Sequence, residues 1–248
     1  MVTIVETHLS EQDRTEEIPG YKMIRRERNN KEKGGIIIYY KNALEYTLTL
    51  IPTTKELEEN TVWLRLANSR IKIKIGVIYM PQESTTSKGE LQDIYNKIAS
   101  EIETSLTAGE KMLLVGDFNC KVGNIVPCNN VIVSKGEKML TKMMTKYNLN
   151  LANATDKCIG VWTREERDSK SVLDYVILKQ EDMTYLKAIN IDEEKNECPY
   201  AFNTKKGSQN IMYSDHNVIE MEMDWMQLIK DHHQTAKKVV TKKRIHKI

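Results

Sequence analysis

Short apolar runs separated by turn residues dominate the chain, and most of them have the pattern of β-strands. Ile36–Tyr40 follows two glycines and is predicted to be a fully buried strand, with residues 44–51 as its hairpin partner. Residues 62–66 lead to 71–75, where strict alternation predicts isoleucines facing inward and lysines facing outward. We expect this last strand to continue to Tyr79 and to end at Pro81.

Helical spacing of apolar residues occurs in two segments. The clearest amphipathic helix is predicted near 88–107, and a second over about Glu137–Tyr147. Short strands are expected near 149–153, 160–163, 172–178 and 217–223. Because strands outnumber helices and occur in mixed order, the pattern favours two packed β-sheets covered by a few helices.

Length and composition limit the class of protein. A chain of 248 residues can bury one sizeable core, so one domain suffices. The apolar runs are shorter than a membrane span and the first residues lack the pattern of a signal peptide. We therefore expect a nuclear or cytoplasmic protein with no membrane partner, whose four scattered cysteines are reduced thiols.

Positive charge is concentrated at the C-terminal end. Five Lys and one Arg against one Asp give residues 231–248 a charge of +5, which leaves −3 for residues 1–230. We expect a domain over residues 1–225 and a basic tail or linker over 226–248. Lys242, Lys243 and Arg244 could neutralise nucleic-acid phosphates, although a solvated terminus has the same composition.

Side chains suited to acid–base chemistry stand at the ends of two predicted strands. Asp117 and Asn119 follow the apolar run 112–115, and alternate residues of an extended chain point to the same face. Asp215 and His216 precede the predicted strand at 217–223. An isolated Asp-His pair is usually a turn or a surface ion pair, so the order of several such motifs matters more than any one.

Six motifs occur in an order that resembles the endonuclease/exonuclease/phosphatase superfamily. They are, along the chain, Glu6-Thr7-His8, Gly34-Gly35, Tyr79-Met80-Pro81, Gly116-Asp117-Phe118-Asn119, Ser171-Val172-Leu173-Asp174-Tyr175 and Ser214-Asp215-His216. Trp162-Thr163, followed by Ser171 and Asp174, is most similar to the apurinic/apyrimidinic-type endonuclease domain of non-LTR retrotransposons, including stand-alone copies of the craniofacial development protein-like kind. The resemblance covers roughly residues 1–225.

The resemblance implies a four-layered α/β sandwich in which two packed mixed β-sheets are flanked by helices. It also implies hydrolysis of a phosphodiester, here the nicking of a DNA target strand, with Mg²⁺ or alternatively Mn²⁺. Glu6 matches the metal-binding glutamate, and Asp215 a second carboxylate on the metal side. Asp117 matches the aspartate that orients or deprotonates the attacking water.

The same resemblance assigns the remaining groups. Asn119 would supply an amide donor near a phosphoryl oxygen, and His216 would bond another. Asp174 would hold the imidazole of His216 in its useful tautomer, and Tyr79 would contact the phosphate or the metal's surroundings. Supporting hydrogen bonds are expected from Thr163, Ser171 and Ser214.

One feature departs from the superfamily. Its members normally begin with a strand that carries an active-site asparagine, followed by a helix, whereas five residues precede Glu6 here. The sequence therefore predicts an N-terminally truncated fold with an exposed strand edge.

Two other functions remain open at this point. One is an inactive truncated copy that acts as a nucleic-acid-binding or interaction protein. The other is a different superfamily member, such as a phosphoinositide phosphatase, a sphingomyelinase or an RNA deadenylase. Whether a reverse transcriptase domain follows in a longer parent protein, and the oligomeric state, are likewise open.

Overall fold

The structure is a computed structural model that describes most of the chain. It covers residues 1–9, 12–15, 17–27, 34–44, 47–54, 57, 59–126, 134–167, 169–196, 200–203 and 210–231. Cys120 and Cys158 are free thiols within these ranges. The predicted nucleic-acid-binding tail, with Lys242, Lys243 and Arg244, lies outside the described residues.

Strands make up most of the described elements, together with two long helices. The helices are α1 (Lys88–Thr107) and α2 (Lys135–Tyr147). The strands are β1 (Val2–Val5), β2 (Tyr21–Arg26), β3 (Ile36–Lys41), β4 (Leu48–Ile51), β5 (Thr61–Ala67), β6 (Lys72–Tyr79), β7 (Lys111–Asp117), β8 (Leu149–Leu151), β9 (Cys158–Ile159), β10 (Arg164–Glu166), β11 (Ser169–Ser171), β12 (Asp174–Lys179), β13 (Leu186–Ile191), β14 (Tyr200–Asn203), β15 (Asn210–Tyr213) and β16 (Ile219–Met223).

A six-stranded mixed sheet forms the centre of the protein, in the order β4-β5-β6-β7-β12-β8. Strands β6 and β7 are parallel because α1 connects them, and the other neighbours are antiparallel. One face buries Trp63 and Leu114 against Leu91 and Ile98 of α1, in a core that includes α2. This arrangement confirms the predicted α/β fold of packed mixed sheets flanked by helices.

The opposite face of the central sheet packs on two three-stranded sheets. Their orders are β1-β3-β2 and β16-β13-β9. Ile36 and Ile38 of the first sheet and Ile189 and Met223 of the second share a core with Val77 of β6. The second layer of the fold is thus divided between two small sheets in the described residues.

Both long helices begin where the sequence supplies a cap. Ser87 and Glu90 form a reciprocal capping box at the start of α1. At α2 the Ser134 hydroxyl accepts from the Glu137 N–H, and the Glu83 carboxylate accepts from the first two amides of the helix. Asn148, in the left-handed conformation, ends α2. Both predicted helices are confirmed.

The predicted hairpin between Ile36–Tyr40 and residues 44–51 is wrong. Strand β3 is the middle strand of its sheet, with β1 on one side and β2 on the other, so it has no free edge for β4. Strand β4 pairs instead with β5 in the central sheet. Strand β2 was not predicted because Lys22, Arg25 and Arg26 interrupt its apolar positions.

Lys74 also corrects the sequence interpretation. Ile71, Ile73 and Ile75 are buried as predicted, but Lys74 is only 2% exposed instead of facing solvent. Helix α1 covers its face of β6, and the ammonium bonds the Glu101 carboxylate at 2.5 Å. It lies 4.8 Å from the centre of the Trp63 ring.

The later strands are shorter than the sequence predicts. The segment 149–153 is a strand only to Leu151, and the predicted strand at 160–163 is irregular after β9. Gly160 explains that break, since it has φ +84 and a Cβ there would lie 2.7 Å from the Ile191 carbonyl oxygen. Strands β12 and β16 start two residues later than expected.

The two ends of the described chain differ in packing. Strand β1 lies at a sheet edge, with Val2 and Ile4 exposed by 53% and 37%. Residues 225–231 are helical, and Leu228 is buried in the core. The domain boundary at residue 225 and the truncation both stay predictions.

In the ranges that the structure describes, no helix is both long and apolar enough to cross a bilayer. The nuclear or cytoplasmic location stays a prediction.

Candidate active site

Polar side chains lie in register on three neighbouring strands, at the same end of the central sheet. Asp117 of β7 stands directly opposite Asp174 of the antiparallel β12 and directly beside Tyr79 of the parallel β6. Directly opposite residues on paired strands project to the same face. Strand pairing therefore brings together residues that lie far apart in the sequence.

Gly116 shapes the end of β7, and Asn119 shapes the turn that follows it. A Cβ at Gly116, where φ is +132, would lie 2.0 Å from the Ile78 carbonyl oxygen, so only glycine lets β7 approach β6 here. The Asp117 carboxylate accepts hydrogen bonds from the backbone N–H and the side-chain amide of Asn119, at 2.7 and 2.8 Å. Asn119 has φ 45, and its amide also donates to the Met80 carbonyl.

The side-chain amide of Asn119 makes its hydrogen bonds within the protein in this structure. Both hydrogens of the amide have acceptors within the protein, namely Asp117 and the Met80 carbonyl. In this structure Asn119 holds the Asp117 carboxylate in place. Donation to a phosphoryl oxygen stays a prediction.

Glu6 enters the site from the end of β1. Its carboxylate accepts a hydrogen bond of 2.8 Å from the Tyr79 hydroxyl. The chain then runs beside the segment before β3, where the His8 N–H donates to the Gly34 carbonyl. A Cβ at Gly35 would lie 2.4 Å from the Thr7 hydroxyl oxygen, so this glycine permits a close approach of two chain segments.

His216 is paired with Asp174. The ring Nδ1 lies 2.9 Å from the Asp174 Oδ2, and the His216 N–H donates to the Ser214 hydroxyl. Burial lowers the pKa of His216, but the hydrogen bond and charge of Asp174, with Asp117 and Asp215, outweigh it and raise the pKa to about 9. The imidazole is therefore a cation at neutral pH.

Asp117 is 1% exposed, and its surroundings disfavour the charged form of its carboxyl group. Burial and repulsion by Asp174 raise its pKa well above the usual range, although His216 and the Asn119 N–H act in the opposite direction. A bound cation would relieve this repulsion and favour the carboxylate.

Three of the predicted side chains are close enough to surround one ion. One ligand atom each from Glu6, Asp117 and His216 lies within 4.8 Å of the others. Two carboxylates are the hard donors that Mg²⁺ prefers, and a site with few protein ligands leaves positions for water and substrate oxygens. The donor set thus fits a divalent metal.

The supporting residues hold the chain around this group. The buried Thr163 hydroxyl accepts from the N–H groups of Leu173 and Asp174, at 2.9 and 3.1 Å. The Ser171 carbonyl accepts from the Thr163 N–H. Asp215 is not one of the three gathered residues; its carboxylate bonds Arg164 at 2.8 Å, and its metal role stays a prediction.

Sequence reasoning missed Arg164, Glu193 and Asn217 at the rim of the site. Glu193 accepts hydrogen bonds from the N–H groups of Val161 and Trp162, and the Asn217 amide donates to the Trp162 carbonyl. These contacts join segments more than 30 residues apart. No periodicity or local motif in the sequence signals them.

Comparisons with known proteins agree with this geometry at the level of fold. No protein-family model matches the chain, and no curated protein does. Among solved structures, the 3′ phosphatase NExo from Neisseria bound to a product DNA hairpin superposes with a TM-score of 0.62 at 14% identity, covering 90% of this chain and 88% of that chain. The chain has the endonuclease/exonuclease/phosphatase fold.

Two further structures with this fold are similar. The endonuclease domain of TRAS1, a telomere-specific non-LTR retrotransposon, gives a TM-score of 0.59 at 14% identity and covers 84% of this chain and 81% of that chain. An AP endonuclease from Archaeoglobus fulgidus gives 0.60 at 12% identity, with 90% and 88% covered. The predicted fold class is thereby confirmed.

Proposed function

We propose that the chain is a divalent-metal-dependent DNA endonuclease that hydrolyses phosphodiester bonds, with Mg²⁺ as the metal. The observation that carries this proposal is the convergence of carboxylate, hydroxyl and imidazolium groups at one edge of the sheet. The contributing residues are Glu6, Tyr79, Asp117, Asn119, Asp174 and His216. The DNA-acting proteins among the similar folds support the substrate class.

Each group has a task in phosphodiester hydrolysis. Glu6 and Asp117 would hold the ion, which stabilises negative charge on the phosphate and the departing oxygen when bound. Asp117 orients the attacking water and accepts its proton, while Asn119 fixes the carboxylate.

His216 neutralises charge on the other side of the phosphate. Because Asp174 keeps its Nδ1 occupied, the imidazolium can donate from Nε2 to a phosphoryl oxygen. Tyr79 orients Glu6 through its hydroxyl. The arrangement thus provides charge stabilisation at the phosphate and a base for the attacking water.

The test is nicking of supercoiled plasmid by purified protein, with Mg²⁺ and with a chelator. We expect nicking that requires the metal and falls at least about a hundredfold in Asp117→Ala and His216→Ala, because each removes a group that acts in the transition state. Asp93→Ala, on the solvent side of α1, is the matched acidic control and should nick like wild type. Undiminished nicking by Asp117→Ala would overturn the proposal.

A retrotransposon origin is part of the same proposal. It rests on the segment from Trp162 to Asp174 and on the similarity to the TRAS1 endonuclease domain. A parent protein with a reverse transcriptase domain would follow from that origin. Detection of such a domain in the same transcript would test it.

A second candidate is a DNA 3′ phosphatase, favoured by the similarity to the Neisseria 3′ phosphatase. The same residues would then hydrolyse a terminal phosphomonoester. A hairpin oligonucleotide with a 3′ phosphate separates the two functions. Release of inorganic phosphate without strand cleavage would favour the phosphatase.

A further inference from the structure

Three chain segments meet beside the Asp174–His216 pair. One carries Asp174 and another carries His216, and residues 162–165, called here the bridging segment, lie between them. The Thr163 N–H donates to the Ser171 carbonyl, and the Glu165 N–H donates to the Asp215 carbonyl at 2.7 Å. Both partners of the pair are therefore attached to the bridging segment.

The attachment on the Asp174 side is made by Thr163. Its hydroxyl is fully buried and accepts two backbone hydrogen bonds, from Leu173 and from Asp174 itself. These bonds fix the backbone at the start of β12, from which the Asp174 carboxylate projects.

The attachment on the His216 side is made by Asn217. Its N–H donates to the Thr163 carbonyl at 2.8 Å, and its side-chain amide donates to the Trp162 carbonyl at 2.7 Å. Asn217 is 7% exposed, and its Oδ1 is buried without a hydrogen-bond partner among the described residues. An unpaired buried oxygen costs stability, and the bond from the same amide group to the Trp162 carbonyl offsets part of that cost.

The bridging segment is itself held by Glu193. The Glu193 carboxylate accepts from the backbone of Val161 and Trp162, immediately before the carbonyl that Asn217 contacts. The Trp162 backbone, to which the Asn217 amide donates, is thus held in place by Glu193. Asn217 can therefore set the position of the neighbouring His216.

We propose that Asn217 is a positioning residue of the active site. It clamps the loop that carries His216 to the bridging segment, so that His216 Nδ1 stays within hydrogen-bond distance of Asp174. The proposal rests on the proposed function, because only then does the imidazolium contact a phosphate. Misplacement of a catalytic group by about 1 Å lowers a rate by roughly a hundredfold.

The first test compares Asn217→Ala with wild type in two measurements. We expect kcat for DNA cleavage to fall roughly 10- to 100-fold with KM changed less than about threefold, since the lost alignment matters in the transition state. The proton NMR resonance of the His216 Nδ1–H, shifted downfield by its bond to Asp174, should weaken or move upfield. Ser105→Ala removes a buried hydrogen bond to Glu110 before β7 begins, and should leave both measurements unchanged.

The second test places Asn217→Ala in an Asp174→Asn background. If Asn217 acts through the Asp174–His216 pair, Asn217→Ala should lower kcat by less than about threefold in this background, because the pair is already lost. An equal loss of kcat in both backgrounds, or an unchanged resonance in Asn217→Ala, would overturn the proposal. If Asn217→Ala is unfolded by circular dichroism, Asn217→Ser, which keeps a short donor, replaces it with the same expected direction.

The two proposals fail in different ways. A wild-type protein that cleaves no DNA would refute the proposed function, while the NMR comparison would still decide whether Asn217 holds His216 against Asp174. A wild-type protein that cleaves DNA, with an Asn217→Ala variant equal to it, would refute only the positioning role.

Discussion

Two aspartates of the central sheet lie beside one histidine, and the ionisation of each of the three side chains depends on the others. Asp117 and Asp174 face each other across β7 and β12, while His216 bonds Asp174. The imidazolium offsets part of the repulsion between the carboxylates. The pKa values of His216 and Asp117 are both raised, so each of these two side chains binds its proton more strongly than the isolated side chain does.

The titration of His216 is the first prediction. In metal-free protein its pKa should be about 9, and Asp174→Asn should lower it toward or below 6.5 because burial then dominates. A raised pKa means that the imidazolium stabilises the fold fully below pH 6.5, and this contribution is lost as the pH rises through about 9. NMR titration of the ring protons measures it, and a wild-type pKa below 7 would contradict the assignment.

Gly116 supports the second prediction, with Gly109 as its matched control. Both have positive φ, but a Cβ at Gly116 would lie 2.0 Å from a backbone oxygen, whereas nothing lies within 4 Å at Gly109. We expect Gly109→Ala to lose about 1 kcal/mol in the free energy of unfolding, and Gly116→Ala to lose more than about 3 kcal/mol. Urea denaturation measures both, and equal losses would show that strain in φ alone matters.

At the scale of elements, the sequence predicts best where a local signal is strong. The 3.6-residue periodicity of apolar residues predicts the ends of α1 and α2 to within two residues. Strand pairing is different, because β3 could have paired with any apolar strand. The choice of β1 and β2 over β4 depends on tertiary packing that the pattern of residues 36–51 does not contain.

Lys74 gives a prediction about the contact between β6 and α1. Its ammonium is buried beside Trp63 and bonds Glu101, whose side chain is 27% exposed. Lys74→Met should change the free energy of unfolding by less than about 1 kcal/mol, because an apolar chain of similar length fits the site. Glu101→Ala should lose about 2 kcal/mol, because it leaves a buried cation without its anion.

Denaturation of both variants checks this contact. Equal destabilisation by Lys74→Met and Glu101→Ala would mean that the ion pair itself, and not the isolated cation, determines the stability.

At the scale of the whole molecule, the fold brings distant motifs to one edge of a sheet. The resemblance of six ordered motifs to a known superfamily allowed one site to be predicted from residues far apart in the sequence, namely Glu6, Asp117, Asp174 and His216. Asn217 could not be predicted, since its partner Trp162 lies 55 residues away. The ion pair between Asp215 and Arg164 could not be predicted either, because the residue types alone do not reveal which charged side chains meet in the fold.

The proposed dependence of catalysis on a divalent metal connects this geometry to function, and it can be tested directly. Single-turnover cleavage of an end-labelled duplex over a series of Mg²⁺ concentrations should show no cleavage without the ion. Glu6→Gln should require about tenfold or more Mg²⁺ for its half-maximal rate, because it removes one of the two carboxylates proposed to hold the ion. Cleavage without metal, or identical Mg²⁺ dependence in both proteins, would contradict a hydrolytic metal site at Glu6 and Asp117.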